Sequence, residues 1–225
     1  MIPVVFFHLG RADVVVEKVL NQAKKRNKVI LIGDDGTKGL ALSCEIDFVD
    51  YRELVCDQFS KFEENYEHLS TNPYGVELLC FLRWFAVRNL MEKINCDRIF
   101  YADSDVLLYC DVTEENEKYE QFDMAIVHRC CGSTTYMSKN SLNTFCDYVT
   151  NIYSDKNSFE YDQLRSKSIT MRNHNKDGGV CDMTLLEAFH YSDVSGGGPC
   201  RIGEMTHVIG DSPFDHNINV DDGVY

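Results

Sequence analysis

Basic charge is what this sequence has least of. Lys and Arg number 22 against 36 Asp and Glu, giving a formal net charge of −14 over 225 residues. So acidic a chain repels nucleic acid and anionic membrane surfaces unless a local basic patch overrides the global field, whereas it welcomes a bound cation. No stretch approaches the roughly 20 apolar residues of a membrane span. The opening MIPVVFFHLGRADVVV has neither the basic start nor the small-residue cleavage site of a signal peptide. A soluble, cytoplasmic protein is the expectation. There is also no CxxC pair among the ten cysteines. Most sit in apolar runs, such as LLCFL around Cys80 and LLYCDV around Cys110, and read as small buried hydrophobes. The vicinal Cys130 and Cys131 beside His128 lack the spacing of a zinc site. Internal repeats and low-complexity segments are absent too.

What is present is enough for a sizeable core, with 44% hydrophobic residues. Pro3 to Leu9, PVVFFHL, is a continuous apolar run suited to a strand buried on both faces, and Val14 to Lys25 follow with helical spacing and a basic end. KVILIGDD repeats the buried-strand signature at Val29 to Ile32 and ends in the loop-like Gly33, Asp34 and Asp35. Glu45 to Val49 suit a third strand. Val76 to Ile94 suit a long helix and Arg98 to Ala102 another strand. This alternation implies α/β architecture with a mainly parallel sheet flanked by helices, where ligands bind at the carboxyl ends of the strands. After residue 120 the pattern is less regular. Strands are expected at Met124 to Val127 and Thr134 to Met137, and helices at Ser141 to Tyr153, capped by Ser138, and Met183 to Tyr191, entered from Asp182. A glycine-rich loop, Ser195 to Pro199, leads into a polar tail, and the ending DDGVY, with no clear terminal element, raises the expectation of a fragment of a longer polypeptide.

IFYADSDVLLYCDV, Ile99 to Val112, carries the chemistry. Asp103 and Asp105 flank Ser104 just past a buried strand. Two carboxylates that close repel each other, and a hard divalent cation with room left for phosphate oxygens removes the repulsion. Three other readings compete. Asp and Ser are common turn formers, so the triplet can be a turn or cap without metal. An EF-hand loop starting at Asp103 fails, because its fifth and sixth places hold Leu107 and Leu108. A haloacid-dehalogenase-like phosphotransferase would use Asp103 as nucleophile and Asp105 as acid, but Leu107 stands where that motif has Thr or Val.

RWFAVRNLMEKINCDRIFYADSDVLL, Arg83 to Leu108, resembles the helix, strand and DxD of the GT-A glycosyltransferases. The resemblance extends over nearly the whole chain. It implies one GT-A-like (Rossmann-like) domain over residues 1–225, with a nucleotide-sugar-binding half (1–112) and a smaller, irregular acceptor half with a metal-site tail (113–225). The implied activity is transfer from a UDP-sugar donor to a hydroxyl of a glycan or glycoprotein acceptor, with Mn²⁺ or Mg²⁺. In such enzymes the second carboxylate, here Asp105, binds the metal, while Asp103 reaches the ribose or assists through the metal shell; Ser104 lies between them in the nucleotide site. A late histidine often joins the metal, which points to His216, with His207 as rival; equally, His216 can be a solvated surface histidine. His8, Leu9 and Gly10 after the first strand, and Asp34 and Asp35 after the second, would hold the nucleotide; equally, His-Leu-Gly can be an ordinary strand-to-helix turn. Arg83, ahead of Arg88, would face the diphosphate, or both arginines would simply pair with the many surface acids. An inverting reaction needs a carboxylate base, for which Asp182 is the candidate and Asp177 the alternative; equally, Asp182 can simply cap its helix. The phosphotransferase and a noncatalytic nucleotide-sugar-binding module stay open.

Overall fold

The apolar runs at the amino terminus form neighbouring parallel strands in the computed structural model, which describes residues 1–128, 130–192, 200–205 and 214. In chain order the elements are β1 (Val4–Phe7), α1 (Val14–Ala23), β2 (Val29–Gly33), α2 (Asp35–Ser43), β3 (Asp47–Asp50), α3 (Asp57–Asn65), α4 (Tyr74–Lys93), β4 (Arg98–Ala102) and α5 (Val112–Glu115). They continue with β5 (Met124–Val127), β6 (Cys131–Ser138), α6 (Lys139–Ser154), α7 (Phe159–Asn173), α8 (Asp182–Ser192) and β7 (Ile202–Glu204).

The seven strands form one sheet in the order β3-β2-β1-β4-β6-β5-β7. Parallel pairs join β3 to β2, β2 to β1, β1 to β4, and β5 to β7; β6 runs antiparallel to both β4 and β5. The sheet is therefore mainly parallel, with one reversed strand between its two parallel parts.

Alternation along each strand divides the core between the faces. Val5, Ile30, Ile32, Ile99 and Tyr101 point to one side, where α3, α4, α6, α7 and α8 cover them. Val4, Phe6, Leu31, Phe100 and Ala102 point to the other, beneath α1, α2 and α5. Burial on both faces is why β1, β2 and β4 read as unbroken apolar runs.

Local signals fix the helix starts. Asp13 caps α1, its Oδ1 accepting from the Val15 amide at 2.8 Å and the Val16 amide at 3.2 Å. Ser138 caps α6 as expected, accepting from the Ser141 amide at 3.1 Å. Asp34 and Asp35 are a correction to the loop reading. Asp34 is the N-cap of α2 in a reciprocal capping box with Thr37, and Asp35 is the first helical residue. The third strand is displaced to Asp47–Asp50, because the chain turns after α2 through Glu45, which has a left-handed φ of 54°.

Candidate active site

A cleft of about 620 Å³ opens at the carboxyl ends of β1 and β4, and its walls include His8, Leu9, Arg83, Asp103, Ser104 and Asp105. Six of the residues expected to hold nucleotide or metal are thus brought together from three elements distant in sequence. Val15, Val76 and Leu79 supply an apolar rim from the amino-terminal parts of α1 and α4.

The turn that carries the two acids is held by backbone bonds. Past the end of β4 the Asp103 amide donates to the Ser133 carbonyl at 2.8 Å, and the Val106 amide returns to the Asp103 carbonyl at 3.0 Å. Ser104 Oγ lies 2.8 Å from His8 Nδ1, tying this turn to the end of β1. Asp105 is exposed and makes no hydrogen bond or ion pair with the described residues.

Asp103 is tied on one side only. Its Oδ1 accepts from Arg83 Nη1 at 2.7 Å and from the Tyr101 hydroxyl at 2.9 Å, while Oδ2 makes no hydrogen bond among the described residues. Burial pushes its carboxyl above the ordinary aspartate value against the pull of Arg83 and the Tyr101 hydroxyl, and the Asp182 and Asp105 charges push the same way. Burial likewise works against the charged form of Arg83, yet Asp182, Tyr101 and Asp103 together hold it well above the usual arginine value. Arg83 is a permanent cation here. Cys80, also on the cleft wall, is pushed up to about 12 by burial and the Asp182 charge, so its thiol stays protonated and is no nucleophile.

Asp182 lies behind Arg83 and is not on the cleft wall. Its side chain is 3% exposed. Oδ2 accepts from Arg83 Nη2 and, at 2.9 Å, from Trp84 Nε1, and Oδ1 accepts from the Met183 amide at 2.9 Å. A carboxylate so enclosed has no approach for an acceptor hydroxyl, which argues against the role of base. Asp177 is exposed in the loop before α8.

The remaining expectations fall elsewhere. Asp34 Oδ2 accepts from the Gly10 amide at 2.8 Å, so this pair latches the end of β2 to the end of β1 beside the cleft. Gly10 takes a φ of +84° in that latch, a conformation open to glycine. Asp35 pairs with Arg52 at 3.1 Å, on the surface. Arg88 points away from the acids, to Gln58, Asn89 and Cys56. His207 and His216 lie outside the described residues. Among the described residues no three His, Cys, Asp or Glu side chains cluster as a metal site.

Sequence reading missed Tyr101 and Trp84. Tyr101 was legible only as a strand residue, yet its hydroxyl reaches Asp103. Trp84 was legible only as a helix residue. The glycine that admits it is Gly132 in β6, where a Cβ would stand 2.6 and 2.9 Å from atoms of the indole ring. Gly132→Ala is expected to cost about 1–3 kcal/mol by overpacking and to shift the emission of Trp84, the one tryptophan in the chain. Thermal denaturation and fluorescence on one sample check both.

Neither a family model nor a curated protein matches the sequence. Among solved structures, mouse xyloside xylosyltransferase 1 in its apo form superposes with a TM-score of 0.60 over 90% of this chain and 84% of that one, at 11% identity. A glycosyltransferase described as PaToxG gives 0.43 over 84% and 78%, at 10% identity. A glycosyltransferase involved in the glycosylation of the major capsid of PBCV-1 gives 0.37 over 72% of each chain, at 14% identity. The first of these shares the fold; the other two are too distant to carry an argument. The α/β fold is GT-A, Rossmann-like.

Proposed function

We propose that this protein is a glycosyltransferase that moves a sugar from a UDP-sugar to a hydroxyl of a glycan acceptor, assisted by Mn²⁺ or Mg²⁺ bound between Asp103 and Asp105. One observation carries the reading: at the carboxyl edge of the sheet, two neighbouring carboxylates offer to a cleft large enough for a nucleotide oxygens that have no partner among the described residues. Those oxygens suit a hard cation, since Mg²⁺ and Mn²⁺ are commonly held by one or two carboxylates with substrate phosphates completing the shell. Two protein ligands suffice for such a site.

The residues divide the work as follows. Asp105 and Asp103 would hold the cation, while Arg83 fixes Asp103 through Oδ1. Leu9, Val76 and Leu79 give the base an apolar seat, and His8, held by Ser104, borders it. When bound, the cation supplies neutralisation of the charge that develops on the leaving nucleotide diphosphate. Arg83 places a buried cation on the same wall, where it offsets part of the carboxylate charge that an anionic donor would meet in a chain of net charge −14. An inverting displacement would draw its base from the acceptor side, where Asp177 is the exposed carboxylate of the loop leading into α8. We place the nucleotide half in residues 1–112 and the acceptor half in 113–225 of one domain. No helix among the described residues is long and apolar enough to cross a membrane.

Thermal denaturation against a panel of nucleotides and nucleotide sugars, with and without Mn²⁺, tests this. At a ligand concentration 100 times its Kd the native state gains about 2.7 kcal/mol, which raises Tm by about 5–10 °C for a chain of this size. The shift is expected with UDP and Mn²⁺ together and not with UDP alone. Equal shifts without metal, or phosphate release with no sugar transfer, would overturn the reading.

A further inference from the structure

Building on the cation reading above, we infer that Asp182 is the counter-ion of Arg83, a positioning residue whose charge keeps Asp103 available to the divalent cation. One guanidinium serves two carboxylates from different elements, Asp103 after β4 and Asp182 at the start of α8. Arg83 cannot swing away. Its side chain is 12% exposed, and its guanidinium carbon lies 4.7 Å from the Trp84 ring centroid and 5.3 Å from that of Tyr101.

A cation arriving at Asp103 therefore meets a fixed positive charge on the same carboxylate. If Asp103 alone balanced Arg83, that carboxylate would already be neutralised, and the metal would be left with Asp105. Asp182 changes the count. Three carboxylates and one guanidinium leave two net negative charges, the complement of a divalent ion. The geometry agrees, since Arg83 and Tyr101 both take Oδ1 of Asp103 and leave Oδ2 without a hydrogen bond among the described residues. Asp182 is itself held by Trp84 Nε1 and the Met183 amide, so its position does not depend on Arg83 alone.

The test is metal binding, without turnover. Asp182→Asn keeps an oxygen acceptor for Trp84 and removes the charge. Titration of the whole chain with Mn²⁺, followed by the electron paramagnetic resonance of the free ion, is expected to show about tenfold weaker binding, as for loss of an outer partner of a metal ligand. Emission from Trp84 reports whether the clamp is intact in the same sample. The double variant Asp182→Asn, Arg83→Gln restores two net negative charges and is expected to return Mn²⁺ affinity to the wild-type range, which a merely structural role would not do. Wild-type affinity in Asp182→Asn, or a double variant that binds no better than the single one, overturns the proposal. Should Asp182→Asn lose the native Trp84 emission, the double variant alone decides: affinity near wild type supports the counter-ion role and a tenfold loss overturns it. Wild-type protein that binds no Mn²⁺ overturns the cation reading itself, and is told apart by native Trp84 emission without any metal response.

Discussion

Asp105→Asn is expected to weaken Mn²⁺-dependent nucleotide binding by about 100-fold or more while leaving the melting temperature of the unliganded protein nearly unchanged. Loss of an outer partner of a metal ligand alone costs 10–100-fold, so loss of a direct ligand belongs at or beyond the top of that range. The fold has little at stake at this position. Asp105 is exposed and holds no partner among the described residues, and substitutions at such sites stay within about 0.5 kcal/mol. Removing it even relieves repulsion, since the Asp105 charge is one of the influences that raise Asp103. Calorimetric titration with UDP at fixed Mn²⁺, alongside thermal denaturation without ligand, separates the two effects. Asp103→Asn provides the contrast, because it also loosens Arg83 and Tyr101 and so should lower the melting temperature as well. Undiminished binding in Asp105→Asn would remove the metal from its proposed place.

How far the sequence foretold this arrangement depended on what each segment buries. β1, β2, β4 and β5 were legible because both of their faces are covered, which leaves continuous apolar runs. α6 was legible from its periodic apolar face and its serine cap. α3 and α7 were not. DQFSKFEEN buries only Phe59 and Phe62, and FEYDQLRSKSITMRN only Tyr161, Leu164 and Ser168, so packing and not pattern makes them helices. α2 was hidden by the glycines and aspartates at its start, whose capping box reads in sequence as a loop. In the site, the proximity of Asp103 and Asp105 follows from their spacing, and their meeting with His8 follows from the strand-end rule. The bridge from Arg83 to Asp182 joins residues 99 positions apart. Its elements α4 and α8 are brought together by tertiary packing, of which linear sequence holds no sign. Asp182 therefore read as a base or a cap, and its partnership with a buried arginine was out of reach.

That bridge sets the second large expectation, that Arg83→Leu destabilises the protein by about 3–5 kcal/mol. Leucine approximates the stem of the arginine and leaves packing against Trp84 and Tyr101, but it strips the counter-charge from two acids, one of them only 3% exposed. Breaking a buried pair by removing one partner costs this much because the other charge is left uncompensated. For a chain of 225 residues the melting temperature should fall by about 6–20 °C. The deficit should also depend on pH, with a definite sign. Asp103 already sits above its ordinary value, chiefly through burial, and Arg83, with the Tyr101 hydroxyl, holds it down. Without Arg83 its folded-state value rises further. A carboxyl raised on folding contributes stability that is fully present below its unfolded value and is lost as pH rises through the folded one. Arg83→Leu should therefore lag wild type more at pH 7 to 8 than near pH 4, where the unpaired acid can take up a proton. Arg83→Lys, which keeps the charge but not the fork that reaches both carboxylates, should fall between the two. Denaturation of the three proteins across this pH range checks the series, and a deficit that stayed constant with pH would mean that Arg83 matters through its packing and not its charge.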